Sequence, residues 1–124
     1  HAAAVLAQNL DNMGFHPYTY AVVGMLSDKD AAGVAAKFGD RIDHWFCADL
    51  AGPRALPGKV LAERIAPVLP GAKMAEHESL FSTHADPAQA FAAARERASE
   101  NDRIVVFGSF LTVASVLQAL GRSV

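Results

Sequence analysis

Charge of one sign, paired cysteines and long apolar runs are all missing from this chain. Its 124 residues carry 11 basic and 13 acidic side chains, a formal charge of −2. The two signs are mixed, so the surface offers no field to draw in nucleic acid or an anionic membrane. A single cysteine, Cys47, rules out an internal disulfide and favours a cytoplasmic home. The longest apolar stretch, near Ile104–Leu117, is interrupted by Gly, Ser and Thr. It falls short of the roughly 18–20 apolar residues that a membrane span needs.

Several catalytic signatures are absent too. The five histidines (His1, His16, His44, His77 and His84) form no His-x-x-x-His pair and have no acid beside them at helical spacing. The pattern argues against a zinc site. Neither Gly-x-x-x-x-Gly-Lys-Ser/Thr nor Gly-x-Gly-x-x-Gly occurs, so the chain has no recognisable nucleotide loop. Ser109 stands in Gly-Ser-Phe rather than in a Gly-x-Ser-x-Gly elbow, and does not read as an activated nucleophile.

What is present is apolar material in short, punctuated runs. Hydrophobic residues make up 52% of the chain, ample for the core of one domain. Strands are expected over Tyr20–Leu26, Ile42–Ala48 and Arg103–Phe107, with a weaker edge strand over Lys73–His77. Helices are expected over Ala2–Met13, Asp28–Phe38, Lys59–Val68, from Asp86-Pro87 to Ser99, and over Phe110–Leu120. Ser27 is placed as the cap of the second helix, with Asp30 three residues on. Trp45-Phe46-Cys47 reads as a strand buried on both faces. His77-Glu78 and His84 read as loop. Alternating strands and helices imply right-handed crossovers and a Rossmann-like, three-layer α/β domain with a mostly parallel sheet. His1-Ala2-Ala3-Ala4-Val5-Leu6 begins inside a helical pattern without a cap, and has no basic stretch to make it a signal peptide. The expectation is a fragment whose first strand lies upstream; the alternative is a processed terminus.

The chemistry gathers at two junctions. Tyr20-Ala21-Val22-Val23 runs into Gly24-Met25-Leu26-Ser27-Asp28-Lys29-Asp30, and Ile104-Val105-Val106-Phe107 runs into Gly108-Ser109-Phe110. A strand that ends at a glycine before a helix start leaves amide N–H groups facing an incoming anion. Lys29 then either holds a carboxylate or phosphate, or is a solvated lysine paired with a neighbouring acid. Asp28 and Asp30 suit capping and the helix dipole, and Asp28 is also kept as a binding candidate beside Lys29. Ser109 either caps its helix or holds an anion together with the following amides, while Thr112, one turn on, reads as packing. Gly52-Pro53-Arg54 is either a rigid loop presenting a bidentate arginine or a surface turn.

Four segments in series resemble a known family. Gly24-Met25-Leu26-Ser27-Asp28-Lys29-Asp30, Trp45-Phe46-Cys47-Ala48, Gly52-Pro53-Arg54 and Gly108-Ser109-Phe110-Leu111-Thr112-Val113-Ala114 are similar to the C-terminal domain of the dihydrofolate synthase/folylpolyglutamate synthases, in the Mur ligase superfamily. His1-Ala2-Ala3 resembles the residues just after that family's Asp-x-Ala-His-Asn-Pro motif. The likeness covers nearly the whole chain and is weakest near Gly71–His84.

The resemblance implies a monomeric, cytoplasmic ligase that uses ATP and Mg2+ to join L-glutamate to dihydropteroate or a folate. By superfamily analogy, Lys29 and Ser109 contact the glutamate, with Arg54 and Asp28 as weaker candidates and His1 near the nucleotide. The phosphate loop and magnesium ligands belong to a central ATPase domain that this chain lacks. The fragment alone is therefore expected to bind no cofactor and to be inactive. Two rivals stand beside this reading: a standalone Rossmann-like module for a small anion, and an interaction domain docking through Leu6 and Leu10.

Overall fold

Two strand segments of this protein, Thr19–Gly24 and His44–Ala48, are buried on both faces, and the architecture reflects it. In the computed structural model, which describes residues 16–71 and 80–121, the strands are β1 (Thr19–Gly24), β2 (His44–Ala48), β3 (Phe81–His84) and β4 (Arg103–Gly108). They form one sheet in the order β3-β2-β1-β4, and every neighbouring pair is parallel. β1 and β2 are buried along their whole length, as expected of parallel strands covered by helices on both sides.

The pleat divides the core in two. Ala21, Val23, Trp45 and Cys47 face one way and pack with Ala31, Ala35, Phe38, Leu61 and Ile65. Those partners come from α1 (Ala31–Ala36), the segment after it, and α2 (Gly58–Ile65). Tyr20, Val22, Phe46 and Ala48 face the other way and pack with Ala90, Ala94 and Val116. These belong to α3 (Pro87–Arg97) and α4 (Phe110–Ala119). The first core is aromatic: Phe38 stacks on Phe107 at 4.5 Å and meets Trp45 edge-on at 6.2 Å. The second uses alanine on α3, so that helix can lie close to the sheet.

Local chemistry sets most of the boundaries. Asp86 caps α3 by accepting from Gln89 N at 2.8 Å, and Pro87 occupies the first turn, a favoured start. Pro67 lacks an N–H, and α2 gives way at Ala66–Val68 to a 3-10 turn. At the amino edge of the sheet, Thr19 and Asp43 exchange two hydrogen bonds, each of 2.8 Å. Arg103 Nε donates to Thr19 Oγ1 at 2.6 Å.

Two expectations are corrected. The helix predicted from Asp28 begins at Ala31, and its cap is Asp30, which accepts from Gly33 N at 3.0 Å. Ser27 is held elsewhere: its N–H donates to Arg54 O at 2.7 Å, and Leu26 forms an antiparallel bridge with Ala55. That bridge holds Leu26 and Ser27 against the 54–55 segment, a turn closed by Lys29 N to Leu26 O at 3.1 Å follows, and the helix starts only after it. The other correction concerns the strand beside β2. It is Phe81–His84, paired Trp45↔Phe81 to Ala48↔His84, so His84 is a strand residue. The expected edge strand at Lys73–His77 and the helix at Ala2–Met13 lie outside the described residues.

The packing makes two predictions. Asp30→Ala removes the cap of α1 and costs about 1 kcal/mol, whereas Ser27→Ala costs under about 0.5 kcal/mol; urea unfolding of the two variants checks the order. The fully buried Cys47 has its thiol pKa pushed by burial from 9.0 to about 12. The folded state therefore keeps the neutral thiol while the unfolded chain ionises. The stability this gives is whole below pH 9.0 and is lost as pH rises toward about 12. At about pH 8 a thiol reagent should label Cys47 only after denaturant is added.

Candidate functional site

β1 is followed by strands laid down successively to one side of it, then the chain crosses to place β4 on the other side. The reversal lies between β1 and β4, whose register ends on Gly24↔Gly108. Open α/β sheets bind ligands at the carboxyl end of this kind of gap, because the two connections diverge there and leave a crevice.

Both glycines are required at that point. Gly108 has φ +120°, and a Cβ on it would collide with the Gly24 carbonyl oxygen. A Cβ on Gly24 would stand 2.8 Å from Thr112 Oγ1 and 3.0 Å from Leu50 Cδ2. The close approach lets the Gly24 carbonyl accept two hydrogen bonds, from Ser109 N at 2.9 Å and from Thr112 Oγ1 at 2.8 Å.

Ser109 is buried and caps α4, its Oγ accepting from Leu111 N at 2.9 Å. Capping uses the oxygen as acceptor and leaves the hydroxyl hydrogen to donate, so the two readings of Ser109 are compatible. The following amides are mostly committed: Leu111 N to Ser109 Oγ and Thr112 N to Ser109 O. Among the described residues, the Phe110 N–H is left without an acceptor in this turn. Phe110 is 70% exposed and Leu111 48% exposed, so the start of α4 stands at the surface.

Lys29 lies on the exposed turn after β1. Among the described residues its ammonium has no ion-pair partner, because the neighbouring acids are engaged elsewhere. Asp30 caps α1, and Asp28 pairs with Arg54 at 2.7 Å, both side chains being more than half exposed. An exposed pair of this kind contributes at most about 1 kcal/mol. It also joins the two loops on which Arg54 and Asp28 were separately singled out. Leu56 N donates to Met25 O at 3.0 Å and completes that seam. Lys29 and Ser109 therefore leave the same edge of the sheet from adjacent strands, with the Arg54–Asp28 pair beside Lys29. His1 lies outside the described residues.

Two crevices open on the same edge. One, of about 390 Å³, is lined by residues including Leu50, Ala51, Pro87, Leu111, Ala114 and Gln118. The other, of about 360 Å³, is lined by Asp49, Pro57, Lys59, Thr83, His84 and Ala85. None of Lys29, Ser109, Arg54 or Asp28 lines either crevice. Asp49 is tied down, accepting from Gly58 N at 2.6 Å.

Beside the second crevice runs a polar chain the sequence did not reveal. Arg97 Nη1 lies 2.9 Å from His44 Nδ1. A guanidinium only donates, so Nδ1 accepts and the proton of His44 sits on Nε2. Nε2 then donates to Ser82 Oγ at 3.1 Å, and the Ser82 hydroxyl donates to His84 Nε2 at 2.8 Å. Thr112 was also missed as more than packing. A hydroxyl one turn past a helix cap, within an apolar stretch, was the available signal. Among the described residues no group of three or more His, Cys, Asp or Glu side chains could hold a metal ion, and no helix is long and apolar enough to cross a membrane.

The comparisons with known proteins agree with this frame. Residues 1–110 match the Mur ligase glutamate ligase domain. The chain belongs to that family. It is 35% identical over 120 residues to the dihydrofolate synthase/folylpolyglutamate synthase of Escherichia coli K12, covering 97% of this chain and 25% of that protein. Among solved structures, Escherichia coli FolC in complex with DHPP and ADP superposes with a TM-score of 0.82 at 33% identity, over 98% of this chain and 26% of that one. A bifunctional folylpolyglutamate synthase/dihydrofolate synthase with Mn, AMPPNP and L-glutamate bound matches with a TM-score of 0.76 at 34% identity, over 98% and 26%. The chain thus spans about a quarter of the length of the relatives it matches. Membership in a ligase family removes the rival in which this is an anion-binding module without ligase history.

The polar chain makes a pH prediction. Burial holds the His84 imidazole below the 6.5 of a free one, so the unfolded chain takes up its proton first. The stability His84 gives is whole above pH 6.5 and is lost on acidification. Thermal unfolding between about pH 7 and pH 5 should show this slope, and His84→Gln should flatten it.

Proposed function

We propose that this chain is the glutamate-binding domain of an ATP-dependent ligase that joins L-glutamate to dihydropteroate or to a reduced folate. The observation that carries the proposal is the pair Lys29 and Ser109, on adjacent strand ends at the reversal of the sheet. Family membership supports the ligase class, and the relative solved with L-glutamate bound supports the substrate.

ATP, bound by a domain outside this chain, supplies the activation of the folate carboxylate. The work of this chain is positioning. Glutamate carries two carboxylates, and the site offers a mobile ammonium at Lys29 with a hydroxyl and an amide N–H at Ser109 and Phe110. Holding both acid groups turns the α-amine toward the activated carboxyl carbon, and loss of a proton with departure of phosphate completes the amide. Fixing two reactants in this way supplies much of the rate without a catalytic base. Closure of the domain over the ATPase domain excludes water from the activated carboxyl group. The same reading puts the enzyme in the cytoplasm, working as a monomer.

The test is Lys29→Ala in the parent enzyme with its remaining length restored. Loss of a charge-assisted contact should raise the glutamate KM roughly 10- to 100-fold while the ATP KM stays put. An unaltered glutamate KM would remove Lys29 from the site.

A further inference from the structure

We infer that Thr112 is a positioning residue for glutamate: its hydroxyl fixes the loop bearing Lys29 against the helix bearing Ser109. The inference rests on the reading that these two residues hold the substrate's carboxylates.

Thr112 has no exposed surface, so its hydroxyl needs a protein partner. A hydroxyl in a helix ordinarily turns back to a carbonyl one turn earlier. Thr112 Oγ1 instead leaves the helix and donates to Gly24 O, 88 residues away in sequence. The same oxygen receives Ser109 N, so two donors from one turn of α4 converge on the last residue of β1. Glycine at position 24 permits this, since a Cβ there would press on the Thr112 hydroxyl.

The consequence is geometric. The loop after β1 is held on its β2 side by Leu56 N to Met25 O and Ser27 N to Arg54 O. On its β4 side it is held at Gly24 by Ser109 N and Thr112 Oγ1. With the Thr112 bond removed, α4 pivots on Ser109 N, and the Ser109 hydroxyl and Phe110 amide are re-aimed relative to Lys29. A ligand that must reach both groups then loses fit, while a group bound elsewhere does not.

A packing role and a pinning role predict opposite orders for two variants. Thr112→Val keeps the shape and deletes the hydroxyl; Thr112→Ser keeps the hydroxyl and deletes a buried methyl. In the parent enzyme, Thr112→Val should raise the glutamate KM about tenfold, with kcat at saturating glutamate within about twofold and the ATP KM unaltered. Thr112→Ser should leave the glutamate KM near that of the unsubstituted enzyme. If Thr112→Val does not fold, Thr112→Ala replaces it and the same order is required. A folded hydroxyl-less variant with unchanged glutamate KM, or a serine variant as impaired as it, overturns the inference. If Lys29→Ala and Ser109→Ala raise the glutamate KM and Thr112→Val does not, only the pinning role falls. If none of the three raises it, the reading of the glutamate site falls with it.

Discussion

The carbonyl of Gly24 is the point on which this domain turns. It ends the central strand, faces Gly108 on the neighbouring strand, and accepts hydrogen bonds from both Ser109 N and Thr112 Oγ1. Two strands so close at their carboxyl ends cannot carry side chains there, and the positive φ of Gly108 closes the remaining choice. The reversal of strand order forces the connections apart just beyond this contact. Tight packing below and divergence above come from one constraint, and together they make a rim with a fixed floor.

Much of the fold was legible because the strands obey a simple rule. Tyr20-Ala21-Val22-Val23 and Trp45-Phe46-Cys47 are apolar at every position, which only a sheet covered on both faces can use, and both turned out buried throughout. Asp86-Pro87 with Gln89 announced a helix start, and Asp86 caps there. β3 was not legible. Phe81-Ser82-Thr83-His84 is mostly polar and only partly buried, and its two polar residues on one face are satisfied by the chain through His44 and Arg97. Sequence alone shows the polar residues but not the partners that make them acceptable in a sheet. The choice of Ser27 as cap failed for a related reason. Ser27, Asp28 and Asp30 are all good caps in isolation, and the decision was made by a distant strand-like bridge to Ala55.

The candidate site was legible in its outline and opaque in its wiring. A glycine followed by hydroxyl and charged residues at two strand ends is a local pattern, and the parallel register of β1 and β4 brings the two instances to one edge. Arg54 and Asp28 were singled out as separate contacts, yet they bind each other; their pairing spans 26 residues and no local pattern encodes it. Thr112 is the extreme case, since its partner is 88 residues away and threonine in an apolar helix looks like filler until that partner is known.

The carboxyl edge carries more acid than base. Asp28, Asp30, Asp49 and Asp86 all lie beyond strand ends, against Lys29, Arg54 and Lys59. A net negative rim gives no long-range pull on an anion. The acids are nonetheless engaged one by one: Asp28 by Arg54, Asp30 by Gly33 N, Asp49 by Gly58 N and Asp86 by Gln89 N. Each carboxylate already holds a donor of the protein, which leaves Lys29, the Ser109 hydroxyl and the Phe110 amide as the donors a ligand meets at the gap between β1 and β4, with Lys59 set apart on the second crevice. Recognition at such an edge depends on contact geometry rather than on field, because the attraction appears only once the ligand's acid groups are within hydrogen-bonding distance. A small amino acid bearing its own ammonium suits this arrangement better than a polyanion does, since its positive end is tolerated by the same acids that would repel a second phosphate.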